Sequence, residues 1–160
     1  VPGRFELVNE GQDFRVIVDY AHTDNGLENI LATVRKITKN KVITVFGAGG
    51  DRDNTKRPKM AKAAARYSDY VIITSDNPRT EDPVKIVEQV EQGLLDINFP
   101  VDKYTVIVDR EEAIKYGIEI SMENDSLLIA GKGHEDYQIL GREKIHFDDR
   151  EKARKYLKKS

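Results

Sequence analysis

The sequence predicts an α/β protein: a Rossmann-like open, mostly parallel six-stranded sheet with helices on both faces and antiparallel edge strands or hairpins. Three observations carry this prediction. The runs 16–18, 42–46, 70–74, 104–108 and 127–130 are short, rich in β-branched residues and do not alternate, as strands buried on both faces of a parallel sheet do not. The segments between them repeat apolar residues at helical spacing. At each end of the chain, two strand-like runs flank a turn-forming loop.

In chain order, 5–8 and 14–18 flank Asn9-Glu10-Gly11-Gln12-Asp13 and predict a hairpin. Leu27, Ile30, Leu31, Val34 and Ile37 mark the first helix, with Asp24 as its expected cap. Met60, Ala63, Ala64 and Tyr67 mark the second, and Pro58 suits its first turn. Val84, Val87, Val90 and Leu94 mark the third, opened by Pro83 and capped by Asp82. Ala113, Ile114, Gly117 and Ile118 mark the fourth, where Asp109 and Glu112 have capping-box spacing. Runs 137–140 and 144–147 flank Gly141-Arg142, a second hairpin. Asp148 with Glu151 opens a closing helix, on which Lys152, Arg154, Lys155, Lys158 and Lys159 predict a solvated basic face.

A chain of 160 residues suits one domain, 1–160, with a real core. Hydrophobic content of 39% beside 34% charged residues is ordinary for a globular protein. No apolar run approaches the roughly 20 residues that span a bilayer. The net charge of -2 argues against nucleic acid or a membrane surface as partner. The absence of cysteine excludes disulfides and thiolate metal sites and fits a reducing, cytoplasmic setting. Val1 in place of Met suggests a fragment of a longer chain.

In an open α/β sheet, ligands bind outside the carboxyl ends of the strands. The chemically rich loops fall there: Asp19-Tyr20-Ala21-His22-Thr23, Gly47-Ala48-Gly49-Gly50-Asp51-Arg52-Asp53, the run from Ser75 to Asp82, and Gly131-Lys132-Gly133-His134-Glu135-Asp136. Each has a plain structural reading. Asp76-Asn77-Pro78 makes turns, although a turn does not need Arg79, whose planar fork suits a carboxylate or phosphate. Asp19 can shape a turn, and Gly131 can permit one. The glycines at 47, 49 and 50 invite a dinucleotide reading, but the last position of G-x-G-x-x-G is Arg52. Lys132 between glycines lacks the P-loop spacing, and no histidine–acid spacing suits a protein-held metal. The residues alone imply a small-molecule-binding domain with cationic and anionic groups along one sheet edge.

Taken in order, further motifs carry a resemblance. Gly3-Arg4-Phe5-Glu6, Asp19-Tyr20-Ala21-His22-Thr23, Gly49-Gly50-Asp51-Arg52-Asp53 with Lys56-Arg57-Pro58, Asp76-Asn77-Pro78-Arg79 and Gly131-Lys132-Gly133-His134-Glu135-Asp136-Tyr137-Gln138 resemble the carboxyl-terminal domain of the MurE-type Mur ligases. The resemblance covers essentially the whole chain. It implies part of an ATP-dependent acid–amino-acid ligase that adds meso-diaminopimelate to UDP-N-acetylmuramoyl-L-alanyl-D-glutamate in peptidoglycan synthesis. Full enzymes of the family have UDP-sugar and central ATPase domains as well, the latter with the P-loop and magnesium ligands. It follows that the chain alone is inactive and holds no catalytic residue.

The resemblance also implies roles. Asp76, Asn77, Pro78 and Arg79 form the diaminopimelate signature, with Arg79 and Asn77 on the distal carboxylate. Arg52 takes another carboxylate of the same amino acid, and Glu135 with the Gly131 carbonyl holds the distal ammonium. Arg4 reaches ATP phosphate, while Asp19, Tyr20 and His22 contact ribose and adenine. Where the family usually continues His22-Thr23 with proline, this chain has Asp24-Asn25. The competing expectations are a sister ligase that adds lysine or lanthionine, and a binding module without chemistry.

Overall fold

The computed structural model describes residues 3–159. The main sheet contains β1 (Glu6–Leu7), β2 (Arg15–Asp19), β3 (Val42–Phe46), β4 (Tyr70–Ile73), β5 (Tyr104–Val106) and β6 (Ser126–Ala130). Their spatial order is β1-β2-β6-β3-β4-β5, and only the β1–β2 pair is antiparallel. β6 lies at the centre: Leu127 pairs with Val16 on one side and with Ile43 on the other.

Burial on both faces explains why the strand runs do not alternate. Ile17, Phe46 and Leu128 face one apolar layer, which contains Leu27, Leu31 and Val34 of α1 (Asp24–Ile37). The same layer takes Met60 and Ala64 of α2 (Arg57–Tyr67) and Val90 and Leu94 of α3 (Pro83–Asp96). Val16, Val45, Leu127 and Ile129 face the opposite layer, with Ala113, Ile114 and Ile118 of α4 (Arg110–Ile120) and Ala153 and Leu157 of α5 (Asp149–Lys159). The expected α/β architecture, with helices on both faces, is the one found.

Several local expectations change. β5 is an edge strand whose residues are only half-buried, and it stops at Val106. The second hairpin, β7 (Tyr137–Leu140) with β8 (Glu143–His146), is a separate two-stranded sheet rather than an edge of the main one. Thr23, not Asp24, caps α1, accepting the Gly26 amide at 3.0 Å; the hydroxyl sits one residue earlier, outside the helix, where a cap must be. Asp109 occupies the cap position of α4 without making the side-chain bond. Asp148 accepts the Arg150 amide at 2.8 Å, but Glu151 turns away to His146. Asp82 caps α3 as its sequence predicts, accepting the Val84 amide at 2.9 Å ahead of Pro83. The basic face of α5 is mostly exposed, although Lys152 and Lys155 both reach Glu111 of α4, at 3.0 and 2.8 Å.

Candidate functional site

The loops that follow β2, β3, β4 and β6 meet at one edge of the sheet, around a cleft of about 510 Å³. Six of the residues singled out for an amino acid line it: Arg52, Asp76, Asn77, Arg79, Gly131 and Glu135. Tyr20 and His22 line it too. The remaining three predicted residues stand outside the lining. Pro78 is buried behind it. Asp19 is buried and accepts the Phe5 and Ala21 amides at 2.7 and 2.9 Å, so its carboxylate shapes the turn after β2. Arg4 is exposed, its guanidinium 5.2 Å from the centre of the Tyr20 ring.

The glycine loop and the 75–82 loop form one wall. The Gly50 amide donates to the Asn77 carbonyl at 2.8 Å, and Arg79 Nη1 returns a bond to the Gly50 carbonyl at 2.9 Å. This approach requires glycine, because a Cβ on Gly50 would collide with the Pro78 carbonyl. Asp51 accepts the Thr80 hydroxyl at 2.9 Å, and its own amide donates to Glu81 at 2.7 Å. Arg57 is buried behind the wall and donates to both Glu81 oxygens, at 2.8 and 3.0 Å, to Gln89 at 2.8 Å and to the Gly49 carbonyl at 2.9 Å. The Arg57 bonds hold the Glu81 carboxyl below the usual carboxylate range, helped by the Asp51 amide.

Arg79 takes a left-handed backbone with φ of 54°, a strained region for a residue with a side chain. The second hairpin holds it there: the Arg79 amide donates to the Ile139 carbonyl at 3.1 Å, and Gln138 Nε2 donates to the Asp76 carbonyl at 2.8 Å. Arg52, by contrast, is exposed and, among the described residues, donates only to its neighbour's carbonyl, Asp51, at 3.2 Å. One cation is therefore fixed and the other is presented on a loose arm.

Beneath the cleft, Arg110 joins the carboxyl ends of β4 and β6, donating to the Ser75 and Ala130 carbonyls at 2.8 and 3.2 Å. Asp76 is buried at the floor of the cleft it lines, and that burial pushes its carboxyl up, with Arg110 and Lys132 opposing the shift. On the opposite wall the Tyr20 and His22 rings lie 4.7 Å apart, and His22 Nδ1 is 3.0 Å from the Tyr20 carbonyl oxygen. Among the described residues, no three His, Asp or Glu side chains converge as metal ligands would.

Lys132, Arg57, Arg110 and Glu81 are functional supports that the sequence reading did not single out. Lys132 stood next to a predicted ligand but was weighed only as a P-loop lysine. Arg57 entered only as part of the Lys56-Arg57-Pro58 run, with no role of its own. A cleft whose lining includes Arg52, Arg79, Asp76, Glu135, Asn77 and the Tyr20 and His22 rings can take a small zwitterion beside a planar, phosphate-bearing group.

The family profile described as "Mur ligase, glutamate ligase domain" matches residues 3–133. A UDP-N-acetylmuramoyl-L-alanyl-D-glutamate–2,6-diaminopimelate ligase of Geobacillus kaustophilus is 56% identical over 99% of this chain and 32% of its own length. The ligase of the same name from Trichormus variabilis is 57% identical over 98% of this chain and 31% of its own. A solved structure of a ligase with this name superposes with a TM-score of 0.91 at 42% identity, over 99% of this chain and 32% of that one. The chain thus spans about a third of the length of the curated relatives it matches.

Proposed function

The chain belongs to the Mur ligase family, and from that membership we propose that it is the carboxyl-terminal domain of an ATP-dependent ligase joining meso-diaminopimelate to UDP-N-acetylmuramoyl-L-alanyl-D-glutamate. The observation that carries the reading is the shared cleft: Arg52, Asp76, Asn77, Arg79, Gly131 and Glu135 converge on it from loops far apart in sequence. In this reading Arg79 and Asn77 donate to the distal carboxylate, and Arg52 swings onto the carboxylate at the other end. Glu135 and the Gly131 carbonyl accept the distal ammonium. Lysine lacks the distal carboxylate, so it would leave the Arg79 guanidinium without a partner and beside an uncompensated ammonium, and would be rejected for that reason. Pro78 acts from behind, shaping the turn that carries Arg79.

Tyr20 and His22 offer faces for the adenine, and Arg4 a cation for phosphate, with Asp19 holding the turn beneath them. ATP supplies the phosphoryl group that activates the acceptor carboxylate. That step, the magnesium ligands and the UDP-sugar site belong to domains outside this chain, so residues 1–160 alone bind and orient the amino acid without joining it. The cytoplasm is the compartment this reading expects; separately, no described helix is long and apolar enough to cross a membrane.

The test is ATP-dependent ligation by the full-length enzyme, with meso-diaminopimelate and lysine in competition. Diaminopimelate should be strongly preferred, and a preference for lysine would overturn the assignment of Arg79. Lanthionine, which offers the same two ends, should be accepted measurably.

A further inference from the structure

We infer that the buried ammonium of Lys132 is a positioning group that sets the polarity of the amino-acid clamp, fixing Asn77 as a donor and Glu135 as an acceptor toward the ligand. The inference rests on the diaminopimelate reading of the cleft and deepens it.

Lys132 lies in the turn after β6, between glycines with φ of 120° and 56°, and its side chain is fully buried. Nζ is 3.2 Å from Asn77 Oδ1, 3.3 Å from Glu135 Oε1 and 3.9 Å from Asp76 Oδ1. The Tyr137 ring centre lies 5.2 Å away and adds its negative face. An ammonium only donates, so whatever it meets must be an acceptor. At Asn77 a second donor, the Ile139 amide, meets the same Oδ1 at 3.1 Å. Two donors on one atom decide which end of the carboxamide is oxygen. Among the described residues, nothing pairs with Asn77 Nδ2, and the side chain borders the cleft. Its N–H groups are left to donate to a ligand carboxylate.

Glu135 is held in the complementary sense. Oε1 faces Lys132, and Oε2 accepts the Tyr137 hydroxyl at 3.3 Å. The carboxylate is oriented by two donors and keeps lone pairs for an incoming ammonium. Without Lys132, Asp76 and Glu135 would be near-neighbour acids with only Arg110, already paired with Asp149, as internal counter-charge, and Asn77 would keep only the Ile139 amide to fix its orientation. A clamp with a loosely held carboxamide and a misoriented carboxylate cannot distinguish the two ends of a diamino diacid.

The experiment uses the full-length ligase and compares Lys132→Met with Lys132→Gln, which keeps an N–H donor but no charge. Lys132→Met should raise KM for meso-diaminopimelate by about tenfold or more while KM for ATP stays within about twofold. Lys132→Gln should raise the first constant by less. In the Asn77→Ala background, Lys132→Met should add much less than it does alone, because part of its effect passes through Asn77. Equal changes in both KM values, or effects that multiply in the double variant, would overturn the inference. Should Lys132→Met fail to fold, Lys132→Gln is judged by the same split between the two KM values. Wild-type enzyme that ignores diaminopimelate removes the functional reading and this inference with it; wild-type ligation with an unaltered Lys132→Met enzyme removes this inference alone.

Discussion

Arg110 and Asp149 form a bidentate ion pair at 2.8 and 2.7 Å with both side chains fully out of solvent, joining the first turns of α4 and α5 under the cleft. Arg110 also donates to the Ser75 and Ala130 carbonyls, which carry no charge, so removing the acid strands a buried cation. Asp149→Ala should cost about 3–5 kcal/mol, whereas replacing both partners with apolar residues of similar size should cost much less. Urea unfolding of the three proteins checks this; equal losses would show that the pair is not acting as a unit.

Glu111 gives an acid-side prediction. Its bond to Lys155, with Tyr156 and Lys152 behind it, lowers the carboxyl from 4.5 to about 2. A carboxylate lowered by folding contributes its full stability above the unfolded value and loses it as pH falls through the folded one. The tie between α4 and α5 should therefore weaken from about pH 4.5 down toward pH 2. Glu111→Gln should remove about 1 kcal/mol at neutral pH, a figure reduced for partial exposure, and should flatten that slope in acid melts.

Arg79 separates recognition from folding. In Arg79→Gly the left-handed backbone becomes unstrained, which offsets the lost bond to the Gly50 carbonyl. The variant should melt within a few degrees of wild type, yet use diaminopimelate at least about tenfold less well in the full-length enzyme. A rate near wild type would remove Arg79 from the site.

Gly50 tests the joined wall. Gly50→Ala places a methyl against the Pro78 carbonyl and should cost about 1–3 kcal/mol by forcing the two loops apart. Because Arg79 is anchored on Gly50, KM for diaminopimelate should rise as well. Thermal melts and steady-state kinetics on one preparation read both effects.

What was legible in the sequence follows from which interactions are local. Leu127, Leu128 and Ile129 announce a strand buried on both faces, because each side of the sheet needs its own apolar residue. Asp82-Pro83 announces the start of α3, because cap and proline act within one turn. Arg52, Asp76, Asn77, Arg79, Gly131 and Glu135 were all named beforehand and all reach the cleft, since strand ends bring their loops to one edge. Lys132 stayed hidden because its main partner, Asn77, is 55 residues away, and nothing near Lys132 marks it as buried. Asp19 shows the reverse: its bond to the Ala21 amide spans two residues and fits the plain reading of a turn-shaping acid, while its bond to the Phe5 amide, 14 residues back, had no local signal.

The central position of β6 sets an order of events as the chain is made. β2 and β3 are finished early but have no contact partner between them until residues 126–130 arrive, so each waits with an open edge. The middle of the sheet closes last, and with it come Gly131, Lys132 and Glu135. A chain stopped just short of β6 would lose more than its final strand. It would be two half-sheets without a shared strand, and the cleft would lack the side that carries Gly131 and Glu135.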